Sequence, residues 1–388
     1  MSRTKLTPPF RWFLILIPIA IISAIILCQQ PSPPANTPPA KAPTPAPTSL
    51  ADLALPPDWT QLDRFQKTIS LKTFLRRLKT IYTKDDSWEK WITLDPKKNL
   101  ALIGDFTLHF SDLDQSPPGA IYDWQTLQDL STNRELPLQG LHIALDPGHI
   151  GGDFAKIEQR EYTWLKASIR EGTMTLRTAE ILKPLLEDLG ARVSLVRTKL
   201  EPVTAKRSND FPDPRLFYRT SEIRARANLI NQTLHPDLVI CLHFNGTASK
   251  FPELHQHFHI ILNGTYTAGE LAHEDERFQM LQRILSGVIE EEIPIAHTIA
   301  TTFNEHIKLP VYRYSSESRT SQNIDNNPNL WARNLLANRL YQCPVIFMEP
   351  YVMNSAPFIL RFNNNREAIY QEYAQAVADG LARYYSQK

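Results

Sequence analysis

From Leu141 onward, apolar runs bounded by turn residues alternate with amphipathic stretches. "LHIALD" is a short apolar run halted by Pro147 and Gly148, which predicts a buried strand. "GTMTLRTAEILKPLLEDLG" carries apolar residues at helical spacing and closes on Gly190, although Pro184 predicts a kink or an early break within it. A strand over "ARVSLVRT", a helix over "RTSEIRARANLINQTL" and a buried strand over "DLVICLHFN" follow. Beyond them come the strand "HFHIILNG", a long helix near Gly269 to Glu290, a polar stretch to about Asn327 and a helix over 330–340. The strand "PVIFME" and the helix "NREAIYQEYAQAVADGLARYY" close the chain. Strand and helix in alternation predict an α/β fold, a three-layer α/β/α sandwich around a mostly parallel or mixed sheet.

The first 140 residues divide differently. Residues 12–28, "WFLILIPIAIISAIILC", carry no charge and follow Arg3, Lys5 and Arg11. This is the short end of a membrane span with its amino terminus in the cytoplasm. We expect residues 1–28 to be an uncleaved anchor, with a cleaved signal peptide as the alternative. Residues 29–57 are proline-rich and low in complexity, a tether tens of ångströms long at about 3.1 Å per residue. Residues 58–140 mix a helical pattern, "TFLRRLKTIY", with strand-like pieces, "NLALIGDFTLHF", and form an accessory region without a recognisable chemical motif. Residues 141–388 form the main domain.

Composition adds little. A formal net charge of +1 over 388 residues gives no reason to expect a nucleic-acid partner. Outside the anchor only Cys241 and Cys343 remain. Both lie in apolar strand-like runs and are expected to be buried thiols rather than a disulfide.

Three predicted strands end in residues able to do chemistry: His149, His243 and Glu349. Where such strands are parallel, their carboxyl ends share one edge of the sheet, so the three side chains can meet in a single crevice. Glu171 adds a carboxylate just before a helix. Taken singly, a strand-end histidine is more often a satisfied polar residue than a ligand. Two histidines and a carboxylate with an open fourth position nevertheless make a catalytic zinc set, and a further carboxylate can then move protons. His255, His257 and His259 share one strand face and offer a rival metal site, or simply a polar face.

These residues lie in four stretches, "IALDPGHIGGD", "REGTMTLRTAEILKPLLEDLGARVSLVRT", "RARANLINQTLHPDLVICLHFNG" and "CPVIFMEPYVMNS", whose order resembles the zinc-dependent N-acetylmuramoyl-L-alanine amidases of bacterial peptidoglycan. The resemblance implies one zinc ion per domain on His149, Glu171 and His243, with Glu349 as the catalytic carboxylate. Glu171 is preferred to Glu158 and Glu161 because it opens the helix on which the family carries its ligand. Arg197, Arg226 and Asn228 also match and are read as structural. The implied reaction is hydrolysis of the amide between N-acetylmuramic acid and L-alanine. Peptidoglycan would be the substrate, the membrane would be engaged through the anchor, and a protein activator is left open. The catalytic domain would lie outside the cytoplasm, or be secreted or periplasmic if the segment is cleaved. The alternatives are a peptidoglycan-binding or regulatory protein on an inactive fold, or another zinc peptidase or deacetylase.

Three departures from the family are visible. The short glycine-rich loop after the first histidine is replaced by a longer segment with aromatic and charged residues. Phe244 stands where alanine is usual, and Pro350-Tyr351 where Gly-Phe is usual. Residues 153–170 read as a lid whose removal should raise basal activity.

Overall fold

Described in the computed structural model are residues 56–113, 123–130, 133–164, 167–315 and 317–387, all within one compact unit. The expected anchor and most of the tether lie outside them. Among the described residues no helix is long and apolar enough to cross a membrane. The elements run α1 (Leu71–Arg77), β1 (Thr93–Asp95), β2 (Leu100–Ile103), β3 (Phe106–His109), β4 (His142–Pro147), α2 (Phe154–Ile157), β5 (Glu161–Trp164), β6 (Ala167–Arg170), α3 (Glu171–Asp188) and β7 (Arg192–Leu195). Then come α4 (Pro214–Leu216), α5 (Ile223–Leu229), β8 (Leu238–Leu242), β9 (Phe258–Leu262), α6 (Glu274–Ser286), α7 (Ile289–Ile307), β10 (Gln322–Asn323), β11 (Leu330–Ala332), α8 (Leu336–Leu340), β12 (Val345–Pro350) and α9 (Ala356–Tyr385).

A seven-stranded mixed sheet of order β10-β11-β9-β12-β8-β4-β7 is the frame. Strands β7, β4, β8 and β12 are parallel, while β9 enters antiparallel to β12. The central strands are apolar on both sides because both faces are covered. Ile143, Leu145, Leu238, Ile240, Leu242, Ile346 and Met348 join a core with Met174 and Leu182 of α3, Ile299 of α7 and Tyr373 of α9. The alternate residues Ala144, Val239, Cys241, Val345 and Phe347 join a second core with Ala227 and Ile230. Period-two alternation along each strand thus feeds two different layers. Cys241 and Cys343 are buried free thiols, as expected.

Residues 58–113 are clamped to this frame. Trp59 Nε1 donates to Glu274 at 2.7 Å, and Arg77 donates from Nη1 to the Ile284 carbonyl at 2.6 Å and from Nε to Glu290 at 3.0 Å. The amides of Thr265 and Tyr266 donate to the Ile81 and Tyr82 carbonyls.

Several elements differ from expectation. Helix α3 runs through Pro184 to Asp188, so the early break does not occur; packing against β4, β7 and α9 outweighs one missing hydrogen bond. The long helix near 269–290 is instead two, because Gly287 takes φ +71° and ends α6. Helix α7 then occupies much of the stretch expected to be polar and irregular, its three leading glutamates suiting a helix amino terminus. The expected helix 330–340 is half strand: β11 pairs in parallel with β9, and only α8 is helical. Helix α9 is capped by Ser355, whose side chain accepts the Phe358 amide. At Asn365, where the sequence predicts the start, the backbone leaves helical geometry (φ −156°) and Asn365 Oδ1 recaps Ala368.

Candidate active site

Strand β4 delivers a turn held almost entirely through its backbone. The buried Arg226 donates to Asp146 Oδ1 (2.8 Å), to the carbonyls of Pro147 (2.7 Å) and His149 (2.6 Å), and to Glu222 (2.8 Å). Arg197 reaches the Gly172 carbonyl at 2.7 Å, and Thr175 Oγ1 donates to the Gly148 carbonyl at 2.6 Å. Both arginines therefore have the structural part expected of them, whereas Asn228 is exposed. Two glycines make the convergence feasible. A Cβ on Gly148 would lie 2.3 Å from His243 Cε1, and one on Gly172 would lie 2.2 Å from the Ile150 carbonyl oxygen. Without them, neither the second histidine nor the start of α3 reaches the turn. His149 itself sits at φ +60°, a left-handed conformation that the surrounding bonds impose.

The structure brings His149, Glu171 and His243 together. Glu171 Oε2 lies 3.2 Å from His149 Nε2, and Oε1 lies 3.1 Å from His243 Nδ1 while also accepting the Phe244 amide at 3.2 Å. One donor atom from each of the three falls within 4.8 Å of the others, and all three residues are buried. His243 stacks on Phe347 with centroids 4.2 Å apart, and His149 stacks on Tyr218 at 4.9 Å. Burial first, then the neighbouring His243 and arginines, hold the His149 pKa well below the usual histidine range. A neutral imidazole is what a metal ligand needs. Two imidazoles and a carboxylate aimed at one point fit a zinc ion.

Glu349, next to last in β12, lines the same cleft, of about 700 Å³. Its edge reaches the cleft, yet dense surroundings push its pKa up to about 7: burial raises it most, His243 opposes, and the Glu171 charge adds to the rise. Arg160, Tyr162, Asn245 and Lys250 line the rest of that wall. A separate cavity of about 590 Å³, bordered by Arg224, His273, Glu276 and Arg339, contains none of the convergent donors.

The rival histidine cluster does not assemble. Among the described residues, only His149, Glu171 and His243 gather as a candidate metal set. His255 is exposed, His257 takes a hydrogen bond from Asn245 (2.6 Å), and His259 meets the Tyr314 hydroxyl at 3.2 Å. The segment 153–170 forms α2 and a β5–β6 hairpin. It contributes two groups that sequence reasoning did not place at the centre. Arg160 Nε approaches Glu171 Oε2 at 3.6 Å, and the buried Glu158 lies 3.3 Å from His149 Nδ1. Nothing in the local pattern distinguishes these two from the other charges of the segment. Phe244, the unusual residue after the second histidine, is buried against Tyr351, Phe358, Tyr370 and Tyr373.

A central sheet covered on both faces, with a metal-competent donor set and a buried carboxylate at its carboxyl edge, defines an α/β protein of the class that builds its site on strand ends. The chain belongs to the N-acetylmuramoyl-L-alanine amidase family, whose model matches residues 143–383. It is 35% identical over 107 residues to the probable cell wall amidase LytH of Staphylococcus aureus, a match covering 27% of this chain and 35% of that one. The chain thus spans about a third of the length of the curated relatives it matches. Among solved structures it is similar to the amidase Ami1 of Mycobacterium smegmatis (19% identity, 65% of this chain and 99% of that one, TM-score 0.43). It is also similar to the CwlD amidase of Clostridioides difficile, solved in complex with the GerS lipoprotein (14% identity, 64% and 100%, TM-score 0.44). The family assignment rests on the match over residues 143–383.

Proposed function

We propose that this protein is a zinc-dependent N-acetylmuramoyl-L-alanine amidase that cleaves the amide between the lactyl group of N-acetylmuramic acid and the L-alanine of the stem peptide. The observation that carries this reading is the convergence of His149, Glu171 and His243 beside Glu349, inside the region that matches the family. Zinc held by these three residues supplies Lewis acidity at the scissile carbonyl. Glu349, with a pKa raised towards neutrality, takes a proton from the attacking water and passes it to the departing amine. The wall of the same cleft carries polar side chains, among them Tyr162 and Lys250, that would face the peptide. We further propose that residues 12–28 anchor the chain in the cytoplasmic membrane and that the proline-rich segment lets the catalytic domain reach the wall from outside the cytoplasm. The charge-free run after Arg3, Lys5 and Arg11 supports this.

Mass spectrometry of purified peptidoglycan incubated with the full chain and zinc tests the enzymatic reading, with Glu349→Ala in parallel. Peptides that begin at L-alanine, absent with the variant, are the expected result. Zinc retained without such products, from folded protein, would favour a wall-binding protein on the same fold. Cleavage of a different bond would favour another zinc peptidase or deacetylase.

A further inference from the structure

The segment between His149 and Glu171 holds a buried acid for which the proposed chemistry has no use. The Glu158 side chain is fully buried, and both of its oxygens lie 3.1 Å from the Ile150 amide that donates to them. Oε2 also lies 3.3 Å from His149 Nδ1, a buried nitrogen with no aligned hydrogen bond. Across the ring, Nε2 faces Glu171 at 3.2 Å. One imidazole thus stands between two carboxylates, and a neutral ring has one proton to offer them. When Nε2 coordinates a cation, that proton must sit on Nδ1, the edge that meets Glu158.

We propose that Glu158 is a positioning residue of the zinc centre: it accepts the His149 Nδ1–H and keeps Nε2 turned towards Glu171 and His243. The inference rests on the reading of these three residues as zinc ligands. It makes the segment 153–170 a component of the metal site rather than a removable cover. The bonds around Glu158 fit this part. Its link to Ile150 ties it to the residue after the ligand, and Tyr218 stacks on the His149 ring, leaving its edges to select the orientation. The segment is anchored at both ends of this contact, by the Arg160 amide on the Ala155 carbonyl (2.8 Å) and by the Glu171 amide on the Arg160 carbonyl (3.1 Å). A carboxylate on the far nitrogen of a ligating histidine raises ligand basicity, and its loss typically costs 10–100-fold in metal affinity.

The test is zinc affinity of the full chain, read by competition with a chromophoric chelator, for wild type, Glu158→Ala, Glu158→Gln and His243→Ala. Imidazole ¹⁵N spectra of the zinc-loaded wild type are read alongside. Glu158→Ala should bind zinc about 10–100-fold more weakly, while Glu158→Gln, which keeps an acceptor oxygen, should lose less than about tenfold. The wild-type spectrum should place the His149 proton on Nδ1. Equal affinity of Glu158→Ala and wild type would overturn the proposal. So would a His149 proton on Nε2, whether or not Glu158→Ala folds. Faster peptidoglycan cleavage by Glu158→Ala at unchanged zinc affinity would overturn it in favour of an inhibitory contact. If wild type bound zinc no better than His243→Ala, the zinc reading itself would fail, which is a separate result from failure at Glu158 alone.

Discussion

Arg226 is 2% exposed and holds four acceptors, so Arg226→Met is an informative perturbation of the turn that carries His149. Methionine fills much of the same volume but donates nothing. Asp146 would keep the Tyr341 hydroxyl at 2.6 Å, and Glu222 would keep the Thr204 amide at 2.9 Å, so neither carboxylate is wholly stranded. The carbonyls of Pro147 and His149 lose their arginine donor as well. Removing one partner of a buried ion pair costs about 3–5 kcal/mol, because the remaining charge stays in a poorly solvating interior. With an m-value of about 3 kcal/mol/M in urea, that loss moves the unfolding midpoint down by roughly 1 to 1.7 M. Urea titrations followed by tryptophan fluorescence and by far-ultraviolet circular dichroism measure it. A shift corresponding to less than about 1 kcal/mol would refute the argument, since it would put Arg226 in the range of an exposed ion pair.

Gly148→Ala places a methyl group against the His243 ring, and should lower zinc stoichiometry measured by atomic emission while costing about 1–3 kcal/mol of stability; full zinc occupancy would show that the ring has somewhere else to go. Glu349→Gln should abolish release of L-alanine-headed peptides with zinc content unchanged, and wild-type kcat/KM should rise with pH through about 7 as Glu349 ionises; a profile flat across that range would remove Glu349 as the base. In the absence of zinc, stability should fall as pH rises from about 6.5 to about 8, above the range in which His149, held neutral in the folded chain, acts in the opposite direction. Burial raises Glu158 to about 8 and Glu349 to about 7, so the folded chain holds protons that unfolding releases. Unfolding titrations in chelator across that range check the sign, and rising stability would contradict it. Phe244→Ala should cost about 3–5 kcal/mol through the cavity left among four aromatic rings, read as a drop in the urea midpoint.

Much of this protein is written in local pattern. Alternating apolar runs named the central strands, because a sheet covered on both faces needs apolar residues on both sides of each strand. Turn residues at their ends marked His149, His243 and Glu349, and the helix beginning at Glu171 marked the fourth group. Other features depended on partners distant in the chain. Leu330 to Ala332 reads as helix until β9 offers a free edge, and α7 is fixed by its packing on α9, far along the chain. Gly148 and Gly172 look like ordinary turn and helix-start glycines until His243 and the Ile150 carbonyl are brought against them. Glu158 is one charge among many in its segment, and only folding buries it beside His149. The sequence by itself determined which side chains can do chemistry and on which strand ends they stand, since both follow from residue type and local periodicity. The tertiary structure alone decided which of them share a site, which approaches require glycine and which carboxylate faces the ligand histidine, because burial and distance arise from contacts between segments far apart in the chain.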